Sequence, residues 1–394
     1  MAPFFRAHRE PFKTLLIICD SLVITLVKKP IWVIKYALPF MRPRRDWSLQ
    51  RTLITKHYRH LSWLAMKYGV PIVSPDHTAL VAGQKGSWID PVPNELILGR
   101  LKDMAAASGV EPVRLPGYWL DRDGSDVPLG APPRPGEKVV FHLHGGAYVF
   151  LSANTQDPTT EIGRGLMERC ESIGRVFSIE YRLAATPDNE LAYPFPSQLL
   201  DALTAYYYLV HTVGFAPADI IVDGDSAGAN LALALTRYLI ETASDAVPAP
   251  PGRLLLLSPW CDAGPIRATP SSSWAQFAHI DCGPGAQLQE AAKMFCGPLG
   301  LAEAEVNPYI SPASTHTSMS VSFKGFPRTF ILCGGMEGLR DQIRVLRDRM
   351  VRDIGEENVV YCEPPGAIHD FLWVPWVEPE RTNAWHEIAN WLSR

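Results

Sequence analysis

The sequence lacks an uninterrupted apolar run of the roughly eighteen residues that a membrane-spanning helix needs. Its longest aliphatic stretch, Leu15–Val27, is broken by Asp20 and stopped by Lys28, Lys29 and Pro30. No small-x-small cleavage site follows that stretch, which argues against a removed signal peptide. No N-x-S/T acceptor occurs, so nothing points to a glycosylated exported protein. The seven cysteines are odd in number, scattered and without metal-ligand spacing. That pattern speaks against a disulfide scaffold or a zinc site and for buried free thiols. There is no repeat period, which excludes a solenoid or propeller. No zinc-finger, helix-turn-helix or RNA-binding signature is present, so nucleic acid is not expected as a partner.

What remains is a globular composition, 47% hydrophobic and 20% charged over 394 residues. A single α/β domain with insertions reaches that size. The net charge of −4 hides an asymmetry, because residues 1–60 carry twelve Lys/Arg against three acids and the rest of the chain is acidic. In residues 1–60 the basic residues alternate with aliphatic runs, "LLIICDSLVITLV" and "PIWVIKYALPFM". That alternation favours an anionic membrane surface. The segment is expected to be an uncleaved anchor, an interfacial helix, or helices that roof a pocket, and the last role is compatible with the others. Membrane association, at the endoplasmic reticulum, is the expected location, with the cytoplasm as the alternative.

Residues 61–394 are read as one α/β domain, in which short apolar runs alternate with helical stretches from about residue 110. Strands are expected at Lys138–His142, Val176–Tyr181, Asp219–Asp223, Arg253–Leu257, Arg328–Cys333 and Asn358–Cys362. Helices are expected at Thr160–Ile173, Pro196–Thr212, Ala227–Ala243, Leu339–Ile354 and Glu378–Leu392. This order implies an α/β fold with a mostly parallel central sheet and helices on both faces. Residues 261–324 are too long for one crossover, and such an insertion builds a cap near a ligand site.

Gly224-Asp225-Ser226-Ala227-Gly228 is a G-x-S-x-G match with a strand before it and a strong helix after it. A serine on that tight turn stands above the sheet edge, and small neighbours two residues away let chain segments crowd there. Ser226 is therefore the candidate nucleophile. A serine needs a base, and His369 in "GAIHDF" follows the last strand by a short loop. The base needs an acid to fix its tautomer. Glu337 lies just past a strand end and is favoured, with Asp341 four residues on as the alternative. Oxyanion donors are expected from the N–H groups of Gly145 and Gly146 in "HLHGGAYVF" together with Ala227, with His144 bracing the loop.

With "EYRLAATPDNELAYPFPSQLLDAL", "LSPWCD" and "EGLRD" added, these motifs fall in order over roughly residues 138–375. The sequence resembles the hormone-sensitive-lipase-like group of α/β-hydrolases, the fold-3 carboxylesterases. The resemblance implies an α/β-hydrolase fold with a helical cap, a Ser226–Glu337–His369 triad, and no metal or cofactor. The N-terminal extension is similar to that of fungal steryl acetate hydrolases and pathway deacetylases. Two departures stand out. Ala147 replaces the third glycine of the family's H-G-G-G, and Glu337 takes a place usually held by Asp. The implied reaction is hydrolysis of acetyl or short acyl esters of a hydrophobic alcohol. An amidase such as a formamidase uses the same machinery. A receptor of this fold is a further alternative, and such receptors lack the histidine present here as His369. Activity is expected to fall below about pH 6 as that histidine protonates.

Overall fold

The computed structural model describes residues 12–68, 75–185, 192–244, 246–282 and 285–394. Eight strands form one sheet in the order β1-β2-β4-β3-β5-β6-β7-β8. They are β1 (Gly86–Ile89), β2 (Leu115–Asp121), β3 (Lys138–Leu143), β4 (Ile173–Ile179), β5 (Ile220–Asp225), β6 (Arg253–Leu257), β7 (Arg328–Leu332) and β8 (Val359–Cys362). The pairings from β4 through β8 are parallel, whereas β1–β2 and β2–β4 are antiparallel. The central strands read as continuous apolar runs because helices cover both faces. Phe141, Val222, Leu254, Leu256 and Ile331 are buried on one face, against α6 (Ser197–Tyr207) and α7 (Ala227–Glu241). Val140, Ile221, Leu255 and Phe330 are buried on the other, against α5 (Thr160–Arg169) and α12 (Glu380–Ser393).

Each expected strand is present, β6 with the expected ends and the others with shifted ones. β4 starts at Ile173 and stops at Ile179, rather than running from Val176 to Tyr181. α5 accordingly ends at Arg169, because Cys170 turns extended and Ile173 pairs with Lys138. The helix expected over Pro196–Thr212 is α6 followed by a wider π-helical turn, Tyr208–Val213, ended by Gly214 in the left-handed region. β1 and β2 were not expected. They hold few apolar alternations, and Pro116-Gly117 interrupts β2 in the manner of a turn.

The N-terminal segment is helical: α1 (Phe12–Val23), a π-helical turn (Ile24–Lys28), α2 (Lys29–Tyr36) and α3 (Leu49–Tyr68). Residue 60 falls inside α3, and α3 is bound to the body of the protein. Arg51 near its start is buried and donates to the Glu380 carboxylate at 2.8 and 3.0 Å and to the Gly366 carbonyl at 2.8 Å. Lys56 and Arg59 donate to the carbonyls of His279 and Ala278 at 2.8 and 2.6 Å. Those two carbonyls belong to the 261–324 insertion, which contributes α8 (Ser273–Phe277), α9 (Gly285–Cys296) and α10 (Gly300–Ala304). The remaining helices are α4 (Gly99–Ser108) and α11 (Arg340–Ile354). Among the described residues no helix is long and apolar enough to cross a membrane. Part of the "EYRLAATPDNELAYPFPSQLLDAL" motif, residues 186–191, lies outside the described residues, as do residues 1–11 of the basic segment and 283–284 of the insertion.

Candidate active site

The carboxyl ends of the parallel strands set the site, as open α/β sheets commonly do. β5 runs into α7 at Ser226, whose φ of 53° and ψ of −112° make the strained turn that a G-x-S-x-G serine occupies. Glycine is obligatory at 228, because a Cβ there would lie 1.8 Å from the Leu143 carbonyl oxygen at the end of β3. This close crossing brings the start of α7 against the loop that follows β3. That loop is equally crowded at Gly145, where a Cβ would meet the Asp225 carboxylate at 2.3 Å.

β8 is followed by a loop that delivers His369. Its Nε2 lies 3.1 Å from Ser226 Oγ, and its Nδ1 lies 3.3 Å from Glu337 Oε2. Glu337 follows β7, is fully buried, and has its Oε2 further held by the Ser258 hydroxyl at 2.7 Å. Burial pushes its carboxyl upward, against the pull of His369. The structure therefore brings together the serine, the histidine and Glu337. Asp341 stands elsewhere, in the first turn of α11, where it accepts the Ser273 N–H at 2.7 Å and is half exposed. It ties α8 of the insertion down and does not approach the histidine.

Gly145 and Gly146 follow β3 and Ala227 opens α7, so all three border the serine turn. Among the described residues none of these three N–H groups has a protein acceptor. Ala147, which stands at the place of the family's third glycine, takes a φ of 53° and Gly146 one of 95°. His144 braces the loop. Its Nδ1 lies 2.9 Å from the Gly145 carbonyl, and its ring stacks on Tyr181 at 4.1 Å. Burial pushes its pKa down to about 3, so it is neutral.

Three residues near the site were not singled out from sequence. Ser258 follows β6 with a φ of 43°. Asp281, from the insertion, accepts the N–H groups of His369 at 3.0 Å, Gly338 at 2.8 Å and Cys282 at 2.9 Å, and so fixes the histidine loop. Asp370 follows His369 in the left-handed region at φ 52° and places Oδ2 3.1 Å from His369 Nε2. The motifs "LSPWCD" and "GAIHDF" contain Ser258 and Asp370, but neither motif names a role for them. Burial pulls the His369 pKa down, but the Asp370 and Glu337 carboxylates outweigh it and hold the imidazolium well above its ordinary range.

A cavity of about 190 Å³ opens over Ser226 and His369. Its walls come from α3 (Tyr58, Ala65, Met66), the loop after β3 (Phe150, Leu151) and the insertion (Trp274, Leu288). Both the N-terminal segment and the insertion therefore roof the same space. Among the described residues no cluster of metal-ligating side chains occurs.

A sequence model of the alpha/beta hydrolase fold matches residues 140–373. An esterase of Acinetobacter venetianus is 34% identical over 155 residues, 39% of this chain and 43% of that protein, so the chain spans less than half of that relative's length. Steryl acetyl hydrolase 1 of Saccharomyces cerevisiae is 28% identical over 137 residues, 35% of this chain and 30% of its own. Among solved structures, a hormone-sensitive-lipase homologue from a metagenome library superimposes with a TM-score of 0.54 at 27% identity, covering 71% of this chain and 82% of that one.

Proposed function

The chain belongs to the alpha/beta hydrolase fold family, and from that premise we propose that it is a serine carboxylester hydrolase for acetyl or short acyl esters of a hydrophobic alcohol. The observation that carries the reading is Ser226 Oγ at 3.1 Å from His369 Nε2, beside three N–H groups that have no acceptor among the described residues. Neutral His369 takes the Ser226 proton as Oγ bonds to the ester carbonyl carbon. The N–H groups of Gly145, Gly146 and Ala227 receive the oxyanion, a contribution of roughly 100- to 1000-fold per donor in comparable sites. The imidazolium, steadied by Glu337, gives its proton to the departing alkoxide. Water, deprotonated in turn by His369, then clears the acyl-enzyme.

The cavity of about 190 Å³ supports a short acyl group, being smaller than the roughly 300–1,000 Å³ of sites that enclose a drug-sized molecule. Its aromatic and aliphatic walls favour a hydrophobic ester. The names of the related esterase and steryl acetyl hydrolase support the same substrate class. The test is hydrolysis of p-nitrophenyl esters from acetate to palmitate by the purified protein and by Ser226→Ala. Turnover of short chains that disappears in the variant is expected. A folded protein inert on every chain length overturns the reading.

The reading includes attachment to an anionic membrane surface through α1 and α2. Fourteen of the eighteen exposed large apolar side chains among the described residues lie between Phe12 and Met41, so the exposed apolar surface is concentrated in this segment. Asp20, the charge that interrupts the aliphatic run, accepts the Tyr68 hydroxyl of α3 at 2.7 Å. Lys28, Lys29 and Lys35 lie in the same stretch of chain, and basic residues among exposed apolar ones suit a segment lying in the interface. Flotation with vesicles containing phosphatidylglycerol is expected, and K28E/K29E is expected to weaken it. Absence of binding to such vesicles would overturn this part.

A further inference from the structure

His369 Nε2 has two oxygen neighbours at the same distance, Ser226 Oγ at 3.1 Å and Asp370 Oδ2 at 3.1 Å. A neutral imidazole with its proton on Nδ1 presents a lone pair at Nε2. That lone pair accepts the serine proton, but it repels a carboxylate. Once Nε2 is protonated, the carboxylate becomes its partner. Asp370 is well placed for this by its backbone. The left-handed conformation is uncommon outside glycine, asparagine and aspartate. It is held here by the Asp370 N–H donating to Ser258 Oγ at 3.1 Å, the same hydroxyl that donates to Glu337 at 2.7 Å. One serine thus fixes both carboxylates that flank the ring. Asp370 Oδ1 is buried without a hydrogen-bond partner among the described residues.

We propose that Asp370 is a second positioning residue for His369, whose carboxylate charge beside Nε2 stabilises the imidazolium and so decides when that nitrogen is free to take the Ser226 proton. The inference rests on the serine-hydrolase reading. As Oγ attacks, its O–H bond breaks and the proton passes to Nε2. The Asp370 carboxylate, 3.1 Å from Nε2, stabilises the new positive charge without taking the proton. The proton then leaves for the alkoxide released from the tetrahedral intermediate. In the resting protein the same contact keeps part of the histidine protonated and therefore idle.

The other titratable groups around the ring do not duplicate this arrangement. Glu337, from the loop after β7, meets Nδ1. Asp281, from the insertion, is occupied by three backbone N–H groups. Cys282 places Sγ 3.7 Å from the His369 carbonyl, and burial pushes its thiol well up. Tyr58 of α3, whose ring meets Trp373 and Trp376 edge-on, is likewise kept neutral by burial. Asp225, at the end of β5, is buried with neither oxygen bonded. Burial first, then the charge on Asp370, push its carboxyl well above the usual range.

The test is the pH dependence of kcat/KM for p-nitrophenyl acetate, set beside an NMR titration of the His369 imidazole assigned with H369Q. Both are measured on the wild type, D370N and D370G, and glycine suits the left-handed backbone. Removing one opposite charge at this distance is expected to lower the acid limb and the imidazole titration together by about 1–2 pH units. Limbs and titrations that stay where the wild type's lie overturn the proposal. So does a wild-type His369 that titrates at or below the ordinary value of about 6.5, a result that needs no variant. If the wild type turned over no ester at all, the hydrolase reading would fail, and the titration alone would still decide on Asp370.

Discussion

Ser258→Ala isolates the hydroxyl that joins both sides of the candidate site. In the native protein Ser258 Oγ donates to Glu337 Oε2 at 2.7 Å and accepts the Asp370 N–H at 3.1 Å. Alanine keeps the backbone and removes both bonds. The Glu337 oxygen then retains only the 3.3 Å contact with His369 Nδ1. A hydrogen bond to a charged acceptor is worth roughly 1.5–3 kcal/mol. If that sum is lost from the transition state, where the imidazolium leans on Glu337, kcat falls by about 10- to 150-fold at about 1.4 kcal/mol per decade. If it is lost equally from ground and transition states, the loss appears instead in stability, as a lower denaturant midpoint. The hydroxyl also lowers the Glu337 pKa, so its removal lets Glu337 take up a proton at higher pH and narrows the active range from the acid side. The assay is kcat for p-nitrophenyl acetate across pH, with urea unfolding of both proteins. A variant with kcat within twofold of the wild type and an unchanged midpoint would refute the argument that this hydroxyl holds the acid.

Glu337→Gln is expected to cost on the order of 10³- to 10⁴-fold in kcat, whereas Asp341→Asn, which disturbs a half-exposed tether to Ser273, should stay within about threefold; parallel kinetics on the two variants check this. Gly228→Ala forces a Cβ to 1.8 Å from the Leu143 carbonyl, a backbone clash that cannot be relieved by a rotamer, and should cost more than about 3 kcal/mol; soluble expression with near-native turnover would contradict it. His142 is buried at 3.1 Å from Asp223. Burial pulls its pKa down, but Asp223 wins and raises it to about 9. Its folded-state pKa therefore lies above the unfolded value of about 6.5, so its stabilisation is complete below that value and is lost as pH rises through about 9. The urea-midpoint gap between the wild type and H142Q should accordingly shrink between about pH 7 and about pH 10.

The division between what the sequence disclosed and what it hid follows the range of each interaction. The serine turn, the glycine loop after β3 and the parallel strands rest on constraints a few residues long: a strained φ, an absent Cβ, an apolar run. Such constraints leave a mark at their own positions, which is why Ser226, Gly145 and Gly146 could be named. The placement of His369 was legible as a position after the last strand, and Glu337 was preferred to Asp341 by its distance from a strand end. β1 and β2 were missed because edge strands need neither apolar continuity nor regular alternation, and Pro116 and Gly117 resemble a turn. Ser258 and Asp281 left no local mark because they act across long stretches of chain, Ser258 on Glu337 and Asp370, and Asp281 on Gly338 and His369. Asp370 is the instructive case. It sits next to the histidine in sequence, yet a neighbour's side chain ordinarily points away. Only the left-handed backbone at φ 52° turns it back onto the same nitrogen that faces the serine. That conformation depends on the Ser258 hydroxyl, and the hydroxyl in turn depends on β6 standing beside β7. The control of the histidine thus belongs to the sheet's register, in which Leu257 pairs with Leu332, as much as to the motifs that announce the site.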